Sequence, residues 1–92
     1  MSIYHFGISY NNFGVFQMYE RIRNLREDRD LRQKDVAEVL HCSQVAYSRY
    51  ELGTRDIPTE VLITLAQFYE TSVDFLLGLT DVQKPYPKIS KK

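Results

Sequence analysis

The stretch Gln33-Lys34-Asp35-Val36-Ala37-Glu38-Val39-Leu40-His41-Cys42-Ser43-Gln44-Val45-Ala46-Tyr47-Ser48-Arg49-Tyr50-Glu51-Leu52-Gly53 decides the fold. Val36, Ala37 and Leu40 stand at i, i+1 and i+4, the spacing of an apolar stripe on a helix from about Gln33 to Leu40. His41-Cys42 leaves room only for a tight connection. Ser43 is a favourable N-cap, because its hydroxyl oxygen accepts a backbone N–H of the first turn, and Gly53 suits the left-handed residue that ends a helix. The expectation is two short helices, the second running to about Leu52, joined by roughly three residues.

Working outward, Ile22 and Leu25 fall on one side of a preceding helix at about Met18 to Asp30, with Leu31 closing the turn behind it. Pro58 opens a fourth helix, whose Leu62, Leu65, Ala66 and Tyr69 form a buried face. Ser72 caps a fifth and short one, Val73 to Leu77, which stops at Gly78. The pattern predicts an all-α fold with five helices around one core across residues 18–79. Residues 80–92, with Lys84-Pro85-Tyr86-Pro87-Lys88, have the composition of a mobile tail. Residues 1–17 form an arm with no Lys, Arg, Asp or Glu that holds five of the twelve aromatics. That arm reads either as a hairpin turning at Asn11-Asn12 or as an appended leader, with Met18 as the usual first residue of such a domain.

Ninety-two residues suffice for one domain, and 43% hydrophobic with 26% charged is the composition of an ordinary soluble globule. No stretch approaches the ~18 uncharged apolar residues of a membrane span, and the N-terminus lacks a secretory signal, so a cytoplasmic location is expected. The lone Cys42, with only His5 and His41 beside it, supplies neither an internal disulfide nor a complete metal site, and no cofactor is expected. Paired carboxylates, a phosphate-cradling glycine loop and a nucleophile triad are all missing, so an enzyme is not expected. Cys42 next to His41 reads as a small buried hydrophobe, since neighbours in a tight turn rarely aim at each other. The formal net charge is zero. Eight Lys/Arg face seven Asp/Glu from Met18 to Arg55, whereas Asp56 to Gln83 carries five acids and no base. Nucleic-acid binding, if present, must therefore reside on a local face.

Such a face exists on the middle helix. At ~100° per residue, with Gln44 at zero, Ser48 falls near ~40°, Val45 near ~100° and Arg49 near ~140°, while Ala46, Tyr47 and Tyr50 fall between ~200° and ~300°. The tyrosines then point inward, and Gln44, Val45, Ser48 and Arg49 form an exposed stripe. Gln pairs bidentately with adenine, Arg with guanine, and Val meets a thymine methyl. The pair of helices has the geometry of a helix-turn-helix.

From Tyr19 to about Asp81 the chain resembles the Cro and phage-repressor helix-turn-helix regulators, the XRE family. The resemblance rests on Ile22-Arg23-Asn24-Leu25-Arg26, Gln33-Lys34-Asp35-Val36-Ala37, Ser43, Tyr47-Ser48-Arg49-Tyr50-Glu51-Leu52-Gly53, Ile57-Pro58, Leu65-Ala66 and Ser72-Val73-Asp74-Phe75-Leu76-Leu77-Gly78. It implies base reading by Gln44, Val45, Ser48 and Arg49. Gln33 matches the family's phosphate-contacting glutamine, Ser43 a capping residue near phosphate, and Thr54 and Arg55 a loop that touches the DNA backbone. Arg26 and Glu51 match an ion pair between the first helix and the reading helix. Three residues depart from the pattern. His41 stands where relatives have a glycine at positive φ, and Arg32 replaces a threonine cap, which predicts a looser start to the second helix. Leu52 takes a site that is often polar and near phosphate.

The expected function is sequence-specific DNA binding as a transcriptional regulator, most simply a repressor. One such domain reads few base pairs, so a homodimer is expected, held by the fifth helix and Leu79 or by the aromatic arm. No effector domain is expected to follow, which would leave concentration, a partner or proteolysis as the means of regulation. Two alternatives stay open: an antitoxin-type autorepressor that holds a toxin through the arm or tail, and a protein-interaction module of this fold that does not bind DNA.

Overall fold

The computed structural model describes residues 19–89. The arm at 1–17, its hairpin alternative and the last three residues lie outside the described part. Five helices follow in order: α1 (Glu20–Asp28), α2 (Gln33–Leu40), α3 (Gln44–Leu52), α4 (Thr59–Phe68) and α5 (Val73–Leu76). No strand occurs among the described residues, as the periodicity predicted. The apolar stripes converge on one core, in which Ile22, Val36, Tyr47, Leu65, Tyr69 and Leu76 are almost completely buried and Leu25, Ala37, Tyr50, Ile57 and Ala66 complete the cluster.

Local chemistry sets the helix boundaries. Ser43 Oγ accepts the Ala46 N–H at 3.0 Å, and Ser72 Oγ accepts that of Phe75 at 3.0 Å, so α3 and α5 each begin on a serine cap. The C-terminal ends share one device. Asp30, His41, Gly53, Glu70 and Gly78 all have φ between 55° and 78°. After each of them the chain turns back and the next N–H bonds a carbonyl five residues earlier: Leu31 to Arg26, Cys42 to Ala37, Thr54 to Arg49, Thr71 to Ala66 and Leu79 to Asp74. These left-handed closures satisfy carbonyls that the helices leave open, and they set the angle at which each helix hands over to the next.

Two expectations need correction. Arg32, an N-cap with no acceptor of its own, does not leave α2 loosely started. Asp35, three residues on, accepts the Arg32 backbone N–H at 2.8 Å while the Arg32 guanidinium pairs with the same carboxylate at 2.9 Å, so the capping function has moved to the aspartate. Nor does the chain beyond Gly78 trail away from the body. Arg21 donates to the Phe75 carbonyl at 3.2 Å, to the Thr80 carbonyl and to Asp81 at 2.7 Å, its guanidinium lying over the Phe75 ring. Thr71 donates to the Gln83 carbonyl and Tyr86 to Asp74, which ties the segment across α1 and α5 as far as Tyr86.

Candidate nucleic-acid interface

Helices α2 and α3 pack closely against each other, and α3 divides into the two arcs that its sequence predicts. Tyr47 is fully buried and Tyr50 nearly so, whereas Gln44, Val45 and Arg49 are exposed and Ser48 is half-buried. Gln44, Val45, Ser48 and Arg49 line one shallow concavity together with Gln33 from the start of α2 and Leu52 from the end of α3. All four expected base readers and the expected phosphate contact therefore share one surface. No other segment of the described chain lines this concavity.

Leu52, at a site that the resemblance marks as near phosphate, lies on this surface with the four expected readers. Its wheel angle, ~80° with Gln44 at zero, falls between those of Ser48 and Val45. It is 59% exposed and Val45 61%, which places two apolar side chains, seven residues apart, in the same concavity as the polar stripe.

Beneath the surface lies a carboxylate with several donors. Glu51, its side chain 4% exposed, receives Arg26 Nε at 2.6 Å and the Tyr47 hydroxyl on Oε2. Arg26 Nη2 and Gln33 Nε2 reach Oε1, each at 3.2 Å. Arg26 Nη1 also donates to the Leu31 carbonyl at 2.9 Å, closing the turn between α1 and α2. The expected Arg26–Glu51 pair is thus present, and it holds α1, α2 and α3 together. The hydrogen bond to Glu51, more than the opposing effect of burial, makes the Arg26 guanidinium harder to deprotonate than usual. Burial first, and Glu51 second, push the Tyr47 hydroxyl far above the ordinary tyrosine range.

The remaining expected residues stand apart from the concavity. Ser43 is exposed and its oxygen is occupied by the cap, which leaves its O–H hydrogen available. Thr54 Oγ1 bonds the Arg49 carbonyl at 3.4 Å, and the Arg55 guanidinium lies 5.7 Å from the Tyr50 ring centre, both exposed in the loop after α3. Cys42 packs against the core, and burial raises its thiol pKa, which lowers the thiolate fraction that reactivity requires.

Two short helices in contact, with a capped second helix that turns a polar stripe outward, define a helix-turn-helix domain. The sequence pattern of the helix-turn-helix family matches residues 22–76, and this chain belongs to that family. It is 37% identical over 73 residues to the HTH-type transcriptional regulator YobD of Bacillus subtilis, an overlap covering 79% of this chain and 63% of YobD. It is 41% identical over 58 residues to the cryptic phage CTXphi transcriptional repressor RstR of Vibrio cholerae, covering 63% of this chain and 52% of RstR. A third similarity, 30% over 66 residues, is to the antitoxin PezA of Streptococcus pneumoniae, covering 72% of this chain and 42% of PezA. The matched region thus spans less than two thirds of the length of each of these relatives. Among the described residues no helix is long and apolar enough to cross a membrane.

Proposed function

We propose that this chain binds duplex DNA in a sequence-specific manner and regulates transcription, in the simplest form as a repressor that covers its own site. The observation that carries the reading is the shared concavity of Gln33, Gln44, Val45, Ser48, Arg49 and Leu52, built on a helix whose opposite arc is buried. Entering a major groove, α3 offers Gln44 and Arg49 to base edges and Val45 to a thymine methyl. Gln33 meets a phosphate from the start of α2, where the backbone N–H groups of the first turn also face outward. Ser43, Thr54 and Arg55 add backbone contacts at the two ends of α3. The protein acts in the cytoplasm by binding, as a homodimer on two half-sites about one helical turn, ~34 Å, apart.

Selecting bound sites from random duplex DNA tests the reading, with inverted repeats as the expected yield. Arg49→Ala is expected to cost ~1–3 kcal/mol on the selected site and to relax one base position, whereas Gln33→Ala weakens selected and scrambled duplexes nearly alike. Equal losses on both duplexes for both variants would overturn the assignment of roles.

A second reading is favoured by the similarity to an antitoxin: autorepression combined with capture of a protein partner. Co-purification with the product of an adjacent gene, at a fixed ratio and resistant to nuclease, is its expected signature. A module that binds protein only would give no retained duplex at low salt. A DNA binder gives affinity that falls steeply as salt rises, with a slope near −0.9 per phosphate neutralised.

A further inference from the structure

We infer that Tyr47 is a positioning residue for the DNA-backbone contact of Gln33, acting through Glu51; this rests on the DNA-binding reading above. Tyr47 is 0% exposed and cannot touch DNA. Its ring fills the core between the helices, and for that purpose phenylalanine would serve. The hydroxyl needs a separate reason, because a buried O–H without a partner is destabilising. That reason is visible four residues along the same helix, where the hydroxyl donates to Glu51 Oε2.

Glu51 receives four hydrogen bonds from three side chains, one on each of α1, α2 and α3. Each carboxylate oxygen accepts two of them, which matches its lone-pair capacity and fixes the plane of the group. On Oε2 the partners are Arg26 and Tyr47; on Oε1 they are Arg26 and Gln33. The terminal torsion of a glutamate is intrinsically broad, so the plane is set by its donors and not by its rotamer. Without the Tyr47 hydroxyl, the carboxylate keeps the two-pronged grip of Arg26 but loses the only donor from α3 on Oε2, and the Arg26–Glu51 fork can shift as a unit. Oε1 then no longer presents a fixed acceptor to Gln33 Nε2. Gln33 is the one member of this network that also lines the concavity. Its amide has two N–H donors: one is spent on Glu51, and the direction of that bond aims the other. The tyrosine thus carries order from the core to the protein surface through two hydrogen bonds.

The same core contains an internal comparison. The Tyr69 hydroxyl is equally buried yet has no hydrogen-bond partner among the described residues. Removing it takes away the same atom without removing a hydrogen bond to Glu51.

The test compares Tyr47→Phe with Tyr69→Phe in the full chain by two readouts. The first needs no DNA: hydrogen exchange of the Gln33 side-chain amide, followed by NMR. Tyr47→Phe is expected to speed this exchange several-fold and Tyr69→Phe to leave it unchanged; unchanged exchange in Tyr47→Phe would overturn the inference. The second is affinity for duplex DNA, measured well below the unfolding temperature. Tyr47→Phe is expected to weaken selected and scrambled duplexes alike, about three- to tenfold, the range of one hydrogen bond. In a Gln33→Ala background the same change is expected to have no further effect, because the contact it orients is gone. An undiminished effect in that background would mean that Tyr47 acts by stability alone and would overturn the inference. Should the unaltered chain retain no duplex, the DNA-binding reading would fail, and with it the role in DNA contact assigned to Tyr47, whatever the amide exchange shows.

Discussion

Glu51 is a single residue on which three helices depend, and the physics of buried charge makes its removal a sharp test. Its pair with Arg26, whose side chain is 12% exposed, contributes little net if both charges are replaced together, since their desolvation offsets most of their attraction. Removing one partner alone leaves the other uncompensated. Glu51→Ala is therefore expected to lower unfolding free energy by ~3–5 kcal/mol, measured by urea denaturation, while the double change Arg26→Met with Glu51→Leu loses much less. Equal losses for the single and double variants would show that the helices are held by packing alone. The ion pair was legible in the sequence through the family resemblance. The parts played by Tyr47 and Gln33 in it were not, because helical spacing says that Tyr47 points inward and nothing about which carboxylate its hydroxyl meets.

At the scale of the element, the repeated left-handed closure is the feature that orders the chain. Glycine occupies two of the five positions and was read as a stop at Gly53 and Gly78; His41 was marked through the resemblance. Glu70 carries no such signal and Asp30 only a weak one, since aspartate enters positive φ more often than most residues but far less freely than glycine. This difference predicts opposite signs. Gly53→Ala places a Cβ at φ 78° and is expected to cost ~1–2 kcal/mol, visible as a lower thermal midpoint. Glu70→Gly, at φ 55°, relieves the same strain, and its midpoint is expected to hold or rise despite the added freedom of the unfolded chain. A fall of similar size in both variants would count against strain as the cause. The helix starts were easier to read, because a serine cap is a local hydrogen bond between residues three apart. The start of α2 falls at Gln33 as expected, and what differs is its firmness, because Asp35 accepts the Arg32 backbone N–H.

For the whole molecule, pH links the core to stability. The Tyr69 hydroxyl is pushed up to about 12, by burial first and by Glu51 second, and Tyr47 is raised further for the same two causes. Both folded pKa values lie above the ordinary value of 10.0. A group raised in this way contributes its full stability below the unfolded pKa and loses it as pH climbs toward the folded one. The chain is therefore expected to resist alkali up to about pH 10 and to unfold cooperatively above it, with buried tyrosine ionisation, followed by ultraviolet absorbance, lagging behind that of exposed tyrosine. Tyr69→Phe should shift this transition to higher pH; a transition unmoved by that change would place its origin elsewhere. The charge pattern belongs to this scale too. Acids gather from Asp56 to Gln83, on and around α4 and α5, while the candidate concavity lies on α2 and α3. A neutral total is in this way compatible with a face that meets phosphate.

By itself the sequence determined the five helices, most of their caps and the outward stripe of α3, because each of these depends on residues within a few positions of one another. Periodicity, a serine hydroxyl and a glycine act locally. Tertiary structure alone decided that side chains of α2 and α3 line a single concavity, that Arg21 fastens the segment after α5, and that the Tyr47 hydroxyl bonds the same carboxylate that Gln33 meets. Those outcomes bring together groups up to 60 residues apart in the chain, and only the packing of the helices fixes the distance between them.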